Sequence, residues 1–114
     1  MGPGAIAESR VSTEFTVTVF MLVKTMPEWL GLDSKQRIGL FNDHVKPLLM
    51  KYKESVKLRL YDVEFYSARV TDLWMWEALD HRAYERLVED LRDTPFWDRY
   101  FAIVEILPAV ENVA

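Results

Sequence analysis

Three groups of residues in this chain are equipped for chemistry: a histidine near an apolar helical face, a dense run of acids, arginines and tyrosines, and two tryptophans two positions apart. His44 follows Phe41 by three residues and precedes Val45, which places it at the border of an apolar stripe rather than on a solvated back. Histidine takes or gives a proton near neutrality, as isomerase or cyclase chemistry requires. The plainer alternative is a half-buried imidazole bonded to backbone. Arg59, Tyr61, Asp62, Glu64, Tyr66, Arg69 and Asp72 concentrate polar groups in a stretch otherwise built to be buried. Buried charges must be paired. Either an arginine here holds a carboxylate or enolate while an acid serves as base, or the groups form an ion-pair network that fixes a hairpin or a dimer contact. Asp62, Arg69 and Asp72 suit the network; Arg59, Tyr61 and Glu64 suit both readings. Trp74 and Trp76 share one strand face, as a wall for a planar substrate or as core.

Proton transfer needs a titrating group, a cation for developing negative charge, and an apolar enclosure. His44, Arg59 and Glu64 are the catalytic candidates, with Tyr61, Tyr66, Trp74 and Trp76 as substrate-binding candidates. The constellation depends on strand parity. If the tryptophans point to the helices they are core, and the wall falls to Phe20, Leu22 and Met75. If His44 and Arg59 open onto opposite sides of a sheet, a non-catalytic reading is the better one.

The elements that must position these groups follow from periodicity. Thr13 to Thr25 alternates apolar residues on both faces, Val17, Val19, Met21 and Val23 against Thr18, Phe20 and Leu22, which predicts a central strand. Met26-Pro27-Glu28-Trp29 breaks it. Asp33 with Gln36 makes a capping box for a helix running to about Tyr52, whose regular part Pro47 should kink or end. Val56 to Tyr66 predicts a strand interrupted at Asp62, a short turn follows at Ser67–Arg69, and Thr71 to Ala78 completes a hairpin. Asp80 caps a second helix that ends before Thr94-Pro95, with Tyr84, Leu87, Val88 and Leu91 as its apolar stripe. Tyr100 to Leu107 is a fourth strand, closed by Pro108. Trp29 and Trp97 lie near element ends, where they pack or form a rim.

The order βαββαβ is the ferredoxin-like signature: a four-stranded antiparallel sheet with both helices on one face. An α+β fold of this type leaves one sheet face open, and that face is too apolar to remain in water. A homodimer formed through the sheet face is therefore expected. At 114 residues the chain fits one domain, expected over residues 13–114 after a leader of residues 1–12. A formal net charge of -4 with no basic stripe argues against nucleic acid. The absence of cysteine removes disulfides and thiolate sites, and two histidines far apart give no metal-ligand cluster. No signal peptide or membrane-length apolar run is present, so a cytoplasmic location is expected. Phosphate loops, nucleophile elbows and H-E-x-x-H are also absent.

The run Arg59-Leu60-Tyr61-Asp62-Val63-Glu64-Phe65-Tyr66-Ser67-Ala68-Arg69-Val70-Thr71-Asp72 resembles the R-x-aromatic-D-x-E-x-aromatic-S-x-R-x-S-D run of the darcynin family. Arg82-Ala83-Tyr84, Leu91 to Phe96, and Tyr100 to Pro108 are similar to that family's second helix and closing strand. Thr71 stands where the family often has serine. The resemblance implies the architecture of the dimeric α+β barrels and carries no mechanism. Separately, Phe41 to Leu49 is similar to the F-x-x-H-x-x-P-L helix of some dimeric-barrel enzymes, whose histidine borders the pocket. Some such barrels bind haem through one histidine, but nothing else in the sequence favours this for His44, and no cofactor is expected. The expected function is a cofactor-independent enzyme acting on a small aromatic or polyketide-like molecule by proton transfer, of cyclase, isomerase or oxygenase type. The alternative is a non-catalytic ligand-binding or structural homodimer.

Overall fold

The computed structural model describes residues 15–112. The expected leader of residues 1–12 and the expected start of the first strand at Thr13 lie outside them. The element order is β1 (Val17–Thr25), α1 (Pro27–Leu30), α2 (Ser34–His44), α3 (Lys46–Lys51), β2 (Val56–Asp62), β3 (Asp72–Ala78), α4 (His81–Arg92) and β4 (Phe101–Ala109). The strands form one sheet in the order β2-β3-β1-β4, with every neighbouring pair antiparallel. This is the expected α+β, ferredoxin-like βαββαβ arrangement.

β1 is central because both its faces are apolar. Val19, Met21 and Val23 are fully buried, whereas Phe20 and Leu22, on the other face, are only partly covered. β3 alternates in the same way, burying Trp74, Trp76 and Ala78 beneath the helix layer. α4 is strongly amphipathic and buries Ala83, Leu87, Val88 and Leu91 against the sheet. Asp80 caps it by accepting the Ala83 N–H at 2.8 Å.

The first helical region adds one element to the sequence expectation. The segment read only as a strand break forms a short helix, α1, with Pro27 at its first position, where the missing N–H costs nothing. Of the two expected effects of Pro47 the regular helix shows the second: it ends at His44, and Pro47 lies in the first turn of the short helix that follows Val45. The capping box itself forms: Asp33 accepts from the Gln36 N–H at 2.8 Å, and Gln36 Oε1 accepts from the Asp33 N–H at 3.0 Å. α2 has no buried residue, so it lies at the margin of the core and packs through Leu40 and Phe41.

Two strand ends also move. β2 stops at Asp62, and the connection to β3 is a loop over residues 63–71 rather than a short turn. β4 continues through Pro108 to Ala109. As an edge strand it tolerates a residue with no N–H to donate.

Leu87 is 1% exposed at the centre of α4. Leu87→Ala should destabilise the fold by about 2–5 kcal/mol through cavity formation. Asp33→Ala, which removes a cap on a marginal helix, should cost only about 1 kcal/mol. Urea unfolding of both variants checks the ranking.

Candidate functional site

On the helix-facing side of the β2–β3 ladder, three cross-strand rungs follow one another: Leu58 opposite Trp76, Leu60 opposite Trp74, and Asp62 opposite Asp72. Period-two alternation puts all three on one face, about 7 Å apart along the strands. Over them opens a cleft of about 260 Å³, walled on the helix side by Trp29, Phe41, Val45 and Phe96. It forms because the helix layer fully covers β3 but not the edge strand β2. Trp76 is 1% and Trp74 7% exposed, whereas Leu60 on the next strand is 52% exposed.

The far wall is an aromatic cluster. The Trp29 ring lies 5.3 Å from Phe96 and 5.0 Å from Phe101, and Phe101 lies 5.1 Å from Trp74. α1 is tied down on two sides. Arg37 donates to the Trp29 and Leu30 carbonyls at 3.2 and 3.3 Å, and Arg99 donates to Glu28 Oε2 at 2.6 Å. The turn before β4 places Asp98 at φ 75, a left-handed conformation that aspartate adopts more readily than most residues.

The polar end of the cleft is built by threonines. The Thr25 N–H donates to Thr71 Oγ1 at 2.7 Å, and the hydroxyls of Thr71 and Thr25 donate to Asp72 Oδ2 at 2.7 and 3.1 Å. Burial nonetheless holds the Asp72 carboxyl above its ordinary value. The two hydroxyls offset part of that rise, and the charge and hydrogen bond of Asp62 add to it. Within the cleft wall, the Trp76 Nε1–H is buried without an acceptor among the described residues, at a cost of about 1–3 kcal/mol.

Only part of the expected constellation meets here. Tyr61, Trp74 and Trp76 line the cleft. His44, Arg59 and Glu64 do not share it. Arg59 sits opposite Met75 on the open sheet face and pairs with Glu77 at 3.7 Å, because its position has the opposite parity to Leu58 and Leu60. His44 ends α2 on the helix side, 6.5 Å from the Phe96 ring. Glu64 is exposed in the hairpin loop, and Tyr66 is 93% exposed there against Phe65. The tryptophans point to the helices, so a wall of Phe20, Leu22 and Met75 would belong to the other face.

The expected ion-pair network is also absent in that form. Arg69 pairs with Glu105 at 3.7 Å on the surface, and neither Asp62 nor Asp72 has a cationic partner among the described residues. Asp62 and Asp72, which suit a structural network on sequence alone, line the cleft, and so do Phe41, Leu58, Leu60 and Phe96, none of them a site candidate by sequence. The usable signal was parity: Asp62 shares it with Leu58 and Leu60, as Asp72 does with Trp74 and Trp76. No histidine lines the cleft, so its donors do not fit a haem iron held there by His44. No group of three or more acid, histidine or cysteine ligands occurs among the described residues.

The sequence model of Darcynin, described as a domain of unknown function, matches residues 5–114. The chain belongs to the Darcynin family. A Darcynin homolog of Granulibacter bethesdensis is 61% identical over 101 residues, covering 89% of this chain and 82% of that protein. One of Streptomyces avermitilis is 55% identical over 100 residues, covering 88% and 83%. Among solved structures, a chlorite dismutase from Candidatus Nitrospira defluvii in complex with imidazole superposes with a TM-score of 0.71 at 18% identity, and a single-site variant of that enzyme with 0.73 at 15%. The alignments cover 94% and 93% of this chain but 46% and 44% of those chains. This darcynin therefore shares a fold with part of the chlorite dismutase chain.

A carboxyl held above its ordinary value binds more protons folded than unfolded, so its contribution to stability falls as pH rises from 3.8 through the raised value. Asp72→Asn keeps an acceptor for the threonines and removes the half-buried charge. It should gain on the parent progressively as pH rises from about 4 in thermal melts. A variant that loses ground across that range would show the ionised Asp72 to be stabilising.

Proposed function

We propose that this darcynin binds a small, largely apolar aromatic molecule in the cleft between the β2–β3 ladder and the helix layer. The observation that carries this reading is convergence: rings from α1, α2, β3 and the segment before β4 face one space that ends at a carboxyl pair. Ligand sites are typically concave and apolar with few polar groups, and clefts for drug-sized molecules span roughly 300–1,000 Å³. At about 260 Å³, this one suits a compound of one or two rings. Because His44 and Arg59 lie on different sides of the sheet, ligand binding is favoured over the catalytic triad of His44, Arg59 and Glu64.

A second reading rests on Asp72. A carboxyl raised by burial beside another carboxyl is suited to hold a proton and pass it to a bound molecule. Cofactor-independent proton transfer on an aromatic or polyketide-like substrate, as a cyclase or isomerase performs, would then run through Asp72 and Asp62.

The same reading includes a homodimer. Phe20, Leu22, Leu73 and Met75 occupy the sheet face opposite the helices and are only partly buried in one chain. Face-to-face packing of two sheets would remove that surface from water.

Calorimetric titration with naphthol should show saturable binding with a negative heat-capacity change. Leu60→Trp, which fills the cleft from a half-exposed edge position, should abolish it without loss of stability. Unaltered binding in that variant would place the ligand elsewhere. Sedimentation should give one species near twice 13.4 kDa. A monomer at micromolar concentration would remove the dimer from the proposal.

A further inference from the structure

The cleft combines aromatic walls with acids, and among the described residues no lysine or arginine lines it. The neighbouring cations are engaged elsewhere: Arg59 with Glu77, Arg69 with Glu105, and Lys24 Nζ with the Ala68 carbonyl at 2.9 Å. Two carboxyls opposite one another, with no cationic partner among the described residues, make the end of the cleft acidic. An anionic head group would meet repulsion there. This reverses the sequence expectation of an arginine holding a carboxylate or enolate.

The rungs set an order along the cleft as well as a charge. The acidic Asp62–Asp72 rung lies about 7 Å from the Leu60–Trp74 rung and about 14 Å from the Leu58–Trp76 rung. A ligand matching that order has an aromatic ring at one end and, a short spacer away, a cationic hydrogen-bond donor. An ammonium can give its protons to carboxylate oxygens while its near methylenes lie against the indole face. We infer that the cleft is selective for protonated arylalkyl amines, with the ring between Leu60, Trp74 and Phe41 and the ammonium on the Asp62–Asp72 pair.

This inference rests on the cleft being a ligand site, and the test separates the two. Three probes share a phenyl ring and a short chain but differ in charge: phenethylamine, phenethyl alcohol and hydrocinnamate. Calorimetry at neutral pH and low salt should rank the amine about tenfold tighter than the alcohol, the worth of one charge-assisted hydrogen bond, with the anion weakest. The amine's advantage should shrink to about threefold or less in Asp62→Asn/Asp72→Asn, while the affinity for the alcohol stays within about twofold of the parent. Equal or tighter binding of the alcohol or hydrocinnamate, lost in Leu60→Trp, would overturn the selectivity and leave the cleft as a site. Failure of all three probes and of naphthol to bind would overturn both. Thermal melts of the double variant, expected at or above the parent, keep a folding defect from mimicking lost affinity.

Discussion

The register of β3 between its two neighbours governs the rest of the molecule. β3 pairs Trp74 with Met21 on one side and with Leu60 on the other. That single alignment sends both indoles beneath the helices and brings Asp72 level with Asp62. A slip by one residue would turn every side chain of the strand over, exposing two tryptophans and burying Glu77. The two indoles and the residues they touch, Phe101 and Tyr84 among them, give the register its strength. The cleft follows from the same alignment.

The helix layer is uneven, and the unevenness makes room for the site. α4 anchors one side of the core with four buried residues. α2 buries none and is held mainly by its cap, by Phe41 and by Arg37 reaching the α1 carbonyls. A tighter α2 would cover Leu58 and Leu60 and close the space. Among the described residues the chain tolerates two unfavourable features at that point, an acid pair with no counter-ion and an indole N–H with no acceptor. Features of this kind concentrate where function competes with stability.

The cations that would neutralise those acids are on the surface instead. Arg59, Arg69 and Lys51 make exposed ion pairs. Such pairs contribute little to stability, because water and salt screen them. Their positions leave the open sheet face mixed in character, with apolar residues on the two central strands and the Arg59–Glu77 pair toward one edge.

By itself the sequence determined the βαββαβ order of the main elements, the two helix caps, which residues of β1 and β3 share a face, the resemblance to the family and the absence of cysteine. These depend on periodicity and local hydrogen bonding, which act over a few residues and are written directly in residue types. Tertiary structure alone decided which candidates meet. His44 and Arg59 each sit where local pattern puts them, yet helix packing and strand parity place them on different sides of the sheet. Asp62 and Asp72, ten positions apart and separated by a loop read as a short turn, become cross-strand neighbours through a register fixed by Trp74 and Trp76. That juxtaposition is a property of long-range pairing, which no local pattern encodes.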